Sequence, residues 1–429
     1  MVVQKIKKLR NKTFSSLKIR NYRLYFIGQA VSLSGTWMQT VAQGWLVLQL
    51  TGSGTQLGAV VALQFVPMLF LGAWGGLVVD RYSKRTILYL TQVVFALLTL
   101  GLAALVFTGA IHIWMLYVFA VLFGFVRIFD NPARQTFVSE LVDAAHMKNA
   151  VSLNATENNL ARAVGPSVAG VLIAGVGIAF CFLFNALSFI ATIITLYMMR
   201  EEELYLPPAY QKKAGELRAG FRYVWHSPLI RDTLLLIAVI GTFAFEFQVS
   251  LPLLAQETFH SGAGGYAALL SAMGLGAVVG GLFAAGRHKI APHHLVAFVL
   301  LFGASMVATS LMPTLPWAVF GMLVVGFFSI NVTSLGNTML QLESAAHMRG
   351  RVMALWGVAM IGSTPIGGPI VGFVGEHLGG RWGVGLGGAA TLAAGVVAAV
   401  TLLQQDKVRT VSAAVEAKRA ESASKNIQL

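Results

Sequence analysis

Five ionisable side chains interrupt stretches of this sequence that are otherwise almost entirely apolar. They are Arg127, Asp130, Glu157, Arg162 and Glu246. An ionisable group in a lipid-embedded helix costs a few kcal/mol or more, so such a group usually marks a functional site or a proton relay. The three carboxyl groups are expected at graded depths, where they could take up and release protons. We therefore take Asp130, Glu157, Glu246 and Arg127 as candidates for proton coupling and substrate binding.

Most of these side chains also have a structural alternative. Arg127 and Asp130 are three residues apart on one helical face, so they could form a structural ion pair. Arg162 could serve packing or hold a carboxylate elsewhere in the fold. Glu157 and Glu246 have no obvious partner nearby in the sequence, which favours a functional role for both.

A stripe of polar residues at three- and four-residue spacing runs along the first apolar stretch. Its members are Gln29, Ser32, Thr36, Thr40 and Gln43, with Trp37 beside them. Polar groups on a lipid-embedded helix should face protein or a water-filled cavity. A mixed polar and aromatic wall suits amphipathic organic molecules. The alternative is a seam of hydrogen bonds between helices.

The elements that must position these residues are long apolar helices. The chain has 429 residues, of which 56% are hydrophobic and 11% charged, and its mean hydropathy is +0.71. A soluble protein of this length carries far more charge. A spanning helix needs about 20 apolar residues. We predict twelve transmembrane helices, at 24–49, 55–79, 86–108, 112–136, 149–174, 178–199, 230–256, 264–286, 293–312, 315–340, 350–375 and 381–403.

The positive charge predicts how these helices are oriented. Of 31 Lys and Arg residues, 28 fall on one side of the predicted membrane and only Arg381 on the other, while Arg127 and Arg162 lie inside predicted helices. Positive residues concentrate in cytoplasmic loops. Both termini are therefore expected in the cytoplasm, where the basic residues would also attract anionic lipid. The net charge of +14 is thus an orientation signal and does not indicate a nucleic-acid partner.

A repeated motif predicts that the chain consists of two related halves. The string AAHMK at 144–148 reappears as AAHMR at 345–349, each time between the fourth and fifth predicted span of its half. The predicted organisation is a basic arm at 1–23, a six-helix bundle at 24–199, a linker with an interfacial helix at 200–229, a second bundle at 230–403 and a tail at 404–429. Because each half has an even number of spans, the repeats should be parallel.

The loop after the second predicted span carries a recognisable motif. Residues 76–85 read GLVVDRYSKR, which resembles the major facilitator loop pattern G-x-x-x-D-R-x-G-[RK]-[RK], with Ser83 in place of a glycine. In that family the loop latches the two halves together on the inside and releases them as they rock. The resemblance implies that Gly76, Asp80, Arg81 and Arg85 are gating residues.

A second motif lies in the fifth predicted span. Residues 162–170 read RAVGPSVAG, which resembles the Gly-Pro motif of major facilitator antiporters, with an alanine replacing the first glycine of the closing pair. Pro166 should kink the helix because it removes a backbone donor. Gly165 and Gly170 should allow close packing, and Arg162 precedes them. The resemblance favours export over import, although a purely structural kink is an alternative.

Further strings narrow the resemblance to one subgroup. NYRL at 21–24, GTWMQ at 35–39, DNPARQ at 130–135 and LPLLA at 251–255 resemble the bacterial subgroup that contains enterobactin exporters and macrolide-type efflux proteins. The resemblance implies a bacterial inner-membrane transporter, functional as a monomer, that exports small amphipathic molecules in exchange for protons. Import or proton symport is the first alternative, and a non-transporting receptor or scaffold is the second.

Other classes of function have no support in the sequence. There is no G-x-x-x-x-G-K-[ST] loop, so the chain itself is not expected to be an ATP-driven pump. No tight polar cluster suggests an enzyme, and no cofactor is expected. Cys181 is the single cysteine, which predicts a packing role and excludes a disulfide within the chain. The spacing of the histidines predicts no metal site.

Overall fold

The computed structural model describes residues 14–205, 216–287 and 291–427. Its regular elements are fifteen helices, with short 3₁₀ turns at Ser16–Lys18 and Glu201–Glu203. The first six are α1 Arg20–Thr51, α2 Gly54–Arg81, α3 Lys84–Phe107, α4 Ile113–Leu141, α5 Met147–Gly175 and α6 Ile178–Tyr197. The next are α7 Glu216–Trp225, α8 Pro228–Phe243, α9 Phe247–Leu253 with a π-helical turn at Leu254–Thr258, α10 Gly262–Ala285 and α11 Pro292–Ser310. The last are α12 Leu315–Glu343, α13 Arg349–Ile361, α14 Thr364–Leu378 and α15 Gly380–Ile427.

Ten helical stretches among the described residues are long and apolar enough to cross a membrane. They correspond to ten of the twelve predicted spans, and the fold is all-helical as expected. The other two predicted spans are also helical, as α1 and α5, with 32 and 29 residues. Their polar side chains lower their hydropathy, and these are the helices that carry the polar stripe, Glu157 and Arg162. The count of twelve spans and the division into two bundles stay predictions.

Two predicted spans that were expected to be continuous are broken. The span at 230–256 is interrupted at 244–246, so Glu246 lies at the N-terminal boundary of α9. The span at 350–375 is interrupted at Gly362 and Ser363, between α13 and α14. Pro365 explains the second break, because its ring excludes the carbonyl of residue 361 from a regular helix. The first break has no proline beside it, and the sequence did not predict it.

The helix ends gather at two faces. We call the face that holds Asn21, Lys84, Glu140 and Arg200 the basic end, and the face that holds Met312 and Arg381 the opposite end. At the basic end Asn21 donates to the carbonyl of Arg200 at 2.7 Å, and Lys84 forms a salt bridge with Glu140 at 3.1 Å. At the opposite end Arg381 donates to the carbonyl of Met312 at 2.7 Å. Residues 1–13 of the predicted basic arm and residues 206–215 of the predicted linker lie outside the described residues.

The first set of helices, α1–α6, meets the second set, α8–α15, along two close contacts. These are α2 against α14 and α5 against α10. Glycines make both contacts possible. A Cβ atom on Gly58 or Gly372 would come within 3.0 Å of the backbone of the facing helix, and so would one on Gly274 against α5. Such approach of helix backbones is typical of membrane proteins, where small residues replace bulky ones at the interface. The α2–α14 contact lies toward the opposite end.

Candidate functional site

A cavity of about 430 Å³ lies among the first six helices, with Gln248 of α9 on its wall. Thr36, Trp37, Thr40 and Gln43 line it, as the polar stripe predicted. Gln29 does not line it. It lies deeper in the helix packing, where its side chain bonds to Tyr25 and Arg134. The cavity has the volume of a small-molecule site.

A helix–helix seam of hydrogen bonds runs beside the polar stripe, through a residue of α1 that is not a member of the stripe. The side-chain oxygen of Gln39 accepts from Asn185 of α6 at 2.5 Å and from Thr99 of α3 at 3.4 Å. Thr36 and Thr40 donate to carbonyls of their own helix, which satisfies their hydroxyl hydrogens without a partner helix. The seam therefore depends on Gln39, which the sequence analysis placed in the GTWMQ string but not in the stripe, and the threonines remain on the cavity wall.

Asp130 pairs with Arg134, four residues along the same helix, and this corrects two expectations. The Nε of Arg134 lies 2.6 Å from one carboxyl oxygen of Asp130, while Thr91 and Gln92 donate to the other at 2.9 and 2.8 Å. Asp130 thus forms its salt bridge with Arg134 and not with Arg127, as one interpretation of the sequence had predicted. Arg134 was expected in a cytoplasmic loop, yet it lies within α4 with its side chain 18% exposed.

Arg134 connects Asp130 to a buried tyrosine cluster that the sequence did not reveal. Its guanidinium donates to Gln29, whose amide in turn donates to the hydroxyl of Tyr25 at 2.7 Å. Nearby, the hydroxyl of Tyr22 donates to the side chain of Asn154 at 3.0 Å. The motif NYRL at 21–24 contains a residue of this cluster, but only the fold shows what it contacts.

Arg127 and Arg162 carry positive charge next to the cavity. Arg127 lines it, and the guanidinium of Arg162 lies 4.8 Å from the centre of the Trp37 ring. Within the described ranges neither arginine has a carboxylate within the 4.0 Å of a salt bridge. Arg162 therefore makes a cation–π contact where a carboxylate partner was one expectation.

Glu157 and Glu246 are both buried, at 6% and 3% exposed, but they occupy different places. Glu157 lies close enough to Arg134 to interact with it electrostatically, so it belongs with the Asp130 cluster. Glu246 lies at the break between α8 and α9, where Gly367 and Gly368 leave room for its carboxyl group. Neither lines the 430 Å³ cavity. Each has one carboxyl oxygen with no hydrogen-bond partner among the described residues.

The gating motif lies at the basic end, where Arg85 contacts the end of another helix. Arg85 forms a salt bridge with Glu201 and donates to the carbonyl of Leu196 at 3.0 Å, which joins α3 to the end of α6. Asp80 and Arg81 are exposed. A Cβ atom on Gly76 would meet no described atom within 4 Å, so no described helix packs closely against Gly76 in this conformation.

The Gly-Pro motif positions α5 between α1 and α10. A Cβ atom on Gly165 would come within 3.0 Å of the Ser34 carbonyl and the Trp37 side chain of α1. Ser167 donates to Ser271 of α10 at 2.8 Å. On the same face Gly170 packs against α10. Helix α5 continues through Pro166 as one helical segment, and the kink expected there stays a prediction. The glycines of the motif pack against α1 on one side and α10 on the other.

The described residues contain no group of three or more His, Cys, Asp or Glu side chains that could hold a metal ion. Cys181 is fully buried, in line with a packing role.

Comparison with known proteins identifies the family. A family described as transmembrane secretion effector, within the major facilitator superfamily, matches residues 11–425. The chain is 25% identical to the multidrug efflux pump Tap of Mycolicibacterium fortuitum over 80% of its own length and 87% of the relative. It is also 25% identical to the enterobactin exporter EntS of Escherichia coli O1:K1, over 90% and 93% of the two chains.

Solved structures show the same fold. A bacterial homologue of the human lysosomal transporter Spinster, in an inward-facing and occupied conformation, matches with a TM-score of 0.67 at 13% identity, covering 90% of this chain and 96% of that one. A POT family transporter in complex with 5-aminolevulinic acid matches with a TM-score of 0.72 at 11% identity, over 90% and 96% of the two chains. The chain therefore belongs to the transmembrane secretion effector family of the major facilitator superfamily, and it is a membrane transporter and not an enzyme.

Proposed function

We propose that this transporter exports small amphipathic molecules across the inner membrane of a bacterium by alternating access, in exchange for protons. The observation that carries the proposal is the cavity of about 430 Å³, whose wall combines amides and hydroxyls with aromatic rings. Such a wall suits drug- or siderophore-like compounds. The named functions of the two relatives, multidrug efflux and enterobactin export, support the direction of transport.

Alternating access is supported by the uneven contact between the two sets of helices. The α2–α14 contact brings Gly54 against Gly372 and Gly58 against Gly368, toward the opposite end. At the basic end of α2, Gly76 faces open space and Asp80 is exposed. We interpret this as a conformation closed at the opposite end. In the other conformation Gly76, Asp80, Arg81 and Arg85 would close the basic end.

A carboxylate holds the closed end together. Glu376 of α14 accepts from the hydroxyl of Ser53 at 2.8 Å and from the amide and hydroxyl of Thr55 at 2.8 and 2.6 Å. These groups belong to the N-terminus of α2, where free amides and the helix dipole favour a negative charge. We call these contacts the Glu376 latch, and it joins one set of helices to the other.

Proton exchange is assigned to the buried carboxyl groups. Glu157 interacts electrostatically with Arg134, the salt-bridge partner of the cavity-lining Asp130, while Glu246 lies where α2, α9 and α14 meet. A charge change at Glu246 would act directly on the contact that must open, and a charge change at Glu157 would act on the pair beside the cavity. Protonation at either place would then be linked to the conformational equilibrium.

The orientation proposed places the basic end in the cytoplasm, as the distribution of Lys and Arg predicts. The amphipathic helix α7 suits the membrane surface there, with stacked and exposed rings of Phe221 and Trp225. The hydroxyl of Tyr223 in the same helix accepts from the amide of Ala345, in the repeated AAHM string. The proposal also includes that the basic end attracts anionic lipid and that the protein functions as a monomer.

The proposal is tested by compound accumulation in bacteria that lack their own efflux pumps. Expression of the exporter should lower the cellular content of some members of a panel of toxic amphipathic compounds, and an uncoupler should abolish the effect. Trp37→Ala should weaken export because Trp37 forms part of the cavity wall, whereas Trp114→Ala at an exposed position should not. An importer would raise the cellular content, and a scaffold would leave it unchanged.

Proton coupling has its own test in vesicles. Glu157→Gln and Glu246→Gln remove the exchangeable proton while keeping side-chain size, so each should abolish or strongly reduce efflux driven by a pH gradient. Glu257→Gln, at an exposed position near the opposite end, is the matched control. Full coupling in both buried variants would show that protons do not move through these groups.

A further inference from the structure

We infer that the cavity selects anionic aromatic compounds over neutral or cationic ones of the same shape, with Arg127 as the residue that recognises the negative charge. The inference rests on the proposed function and names the substrate class of the same cavity. Its basis is an inventory of the charges, hydrogen-bond donors and rings that line the wall.

Asp130, which supplies the one carboxylate among the described lining residues, already has its partners. Among the lining residues the charged ones are Arg127, Asp130 and Arg134. One oxygen of Asp130 accepts from Arg134, and the other accepts from Thr91 and Gln92. A cationic ligand would have to compete with a buried ion pair and two further hydrogen bonds, and breaking such a pair is costly.

Arg127, the second arginine on the wall, does not belong to that ion pair. No carboxylate among the described residues lies within salt-bridge distance of Arg127. Asp130 also interacts electrostatically with Arg127, but its carboxyl group is paired with Arg134, so the two arginines and one carboxylate give the lining a net positive charge. Carboxylate and phenolate groups match guanidinium geometry through two parallel hydrogen bonds or one charge-assisted bond.

A second donor on the wall also has no partner. Gln43 is 5% exposed and lines the cavity, and its amide nitrogen makes no hydrogen bond with any described residue. Leaving a buried donor unsatisfied is unfavourable, and a ligand that accepts a hydrogen bond there would remove that cost. Arg127 and Gln43 therefore both require acceptors, which an anionic ligand supplies.

The rest of the wall recognises an aromatic ring. Phe95 stacks with Phe189 at 5.3 Å and with Phe123 at 6.0 Å between ring centres, and all three line the cavity. Trp37 lies on the wall as well, with Arg162 over its ring. The other two intramembrane carboxyl groups, Glu157 and Glu246, are not among the lining residues, so they do not offer a cation a contact on this wall.

The test measures binding of three probes with the same ring and different charge to the purified protein in nanodiscs, with empty nanodiscs subtracted. The probes are 2-naphthoate, 2-naphthamide and 2-naphthylmethylamine, which carry charges of −1, 0 and +1 at neutral pH. The wild type should bind the naphthoate at least tenfold more tightly than either of the others. Equal or tighter binding of the amide or the amine would overturn the inference.

Variants then identify the residue responsible. Arg127→Gln should remove most of the preference for the naphthoate, because the variant loses the charge-assisted hydrogen bond to the carboxylate. The affinity for the neutral amide should stay within about twofold. Arg127→Lys should retain the sign of the preference. Arg287→Gln removes a positive charge outside the lining and should change nothing. A preference that persists in Arg127→Gln would also overturn the assignment, while amide binding confirms that each variant is folded.

This binding test fails or succeeds separately from the proposed function. If the wild type prefers the naphthoate but exports no compound from cells, the charge selectivity stands and the export proposal fails. If it exports compounds but binds the amine as tightly as the naphthoate, export stands and the selectivity fails.

Discussion

Replacing Glu376 by alanine should open the end of the protein that the Glu376 latch closes. The substitution removes three hydrogen bonds that a single carboxyl oxygen accepts from Ser53 and Thr55 at 2.6–2.8 Å. It also removes the negative charge at the N-terminus of α2. Ser53 caps the same helix by accepting from the amide of Gln56 at 3.2 Å, so the helix itself keeps one cap and should stay folded.

The size of the effect follows from what such contacts contribute. A lost N-cap interaction costs about 0.5–2 kcal/mol. Hydrogen bonds to a buried charge contribute about 1.5–3 kcal/mol each, but Glu376 is exposed, so solvent screens it and the sum is well below three times that figure. We take about 1–2 kcal/mol for the whole latch. Because about 1.4 kcal/mol corresponds to a factor of ten, the ratio of closed to open molecules should fall about five- to thirtyfold.

The assay is a distance measurement between spin labels at the opposite end. Thr108→Cys and Leu311→Cys place labels at exposed positions in the two sets of helices, while Cys181 is buried and should not react. Glu376→Ala should add a longer-distance population, and Glu376→Gln should lie between it and the wild type because the amide oxygen still accepts. Glu257→Gln is the control for loss of an acid at this end. If the ratio of closed to open molecules in Glu376→Ala stays within twofold of the wild-type ratio, the latch is refuted.

Three further predictions follow from the packing and the charges. Gly58→Ile should prevent closure of the opposite end, since even a Cβ atom there would lie within 3.0 Å of the α14 backbone, and the same labels should report it. Arg134→Gln should leave the buried charge of Asp130 uncompensated and lower stability by about 3–5 kcal/mol, whereas adding Asp130→Asn should restore most of the lost melting temperature. Hydrogen bonds from His146 hold the pKa of Asp143 below its ordinary value. These bonds therefore stabilise the fold fully at a pH above the ordinary pKa of Asp143, and their contribution is lost as the pH falls through the lowered pKa. His146→Ala should therefore flatten the pH dependence of the melting temperature in the acid range.

The helices were predictable because lipid imposes a length and a polarity on every span. Most predicted and observed boundaries agree within about five residues, even for α1 and α5, where the apolar runs carry polar side chains. The exception is α15, which continues to Ile427, although its span was predicted to end at 403 and to be followed by a tail. The breaks within two spans were not predicted, because hydropathy does not register a local change of backbone direction. Only Pro365 gave a signal for one of them. At Glu246 the break lies against Gly367 and Gly368 of α14, which are more than a hundred residues away in the sequence.

The pairing of Asp130 shows how a sequence argument can choose the wrong neighbour. Arg127 and Arg134 both lie on its helical face, at spacings of three and four residues. Side chains on a helix lean toward its N-terminus, so Arg134 reaches back over Asp130 while Arg127 leans away from it. An acid placed four residues before a base is also the favoured order. The correct pair could therefore have been predicted from helix geometry, but the contacts of Tyr22 and Tyr25 could not, since they depend on which helices meet.

Helix α5 connects the cavity to the α5–α10 contact, which would open and close in the proposed alternating access. On one side Gly165 packs directly against Trp37, so a shift of α5 relative to α1 would displace part of the cavity wall. On the other side Ser167 bonds to Ser271, and Gly274 of α10 lies against the backbone of Ala163. These contacts leave no space for α5 to slide independently of both neighbours, since interiors packed this closely shift between discrete arrangements. A ligand that presses on Trp37 therefore acts on the contact between the two sets of helices through one glycine, and a larger side chain at Gly165 should separate binding from transport.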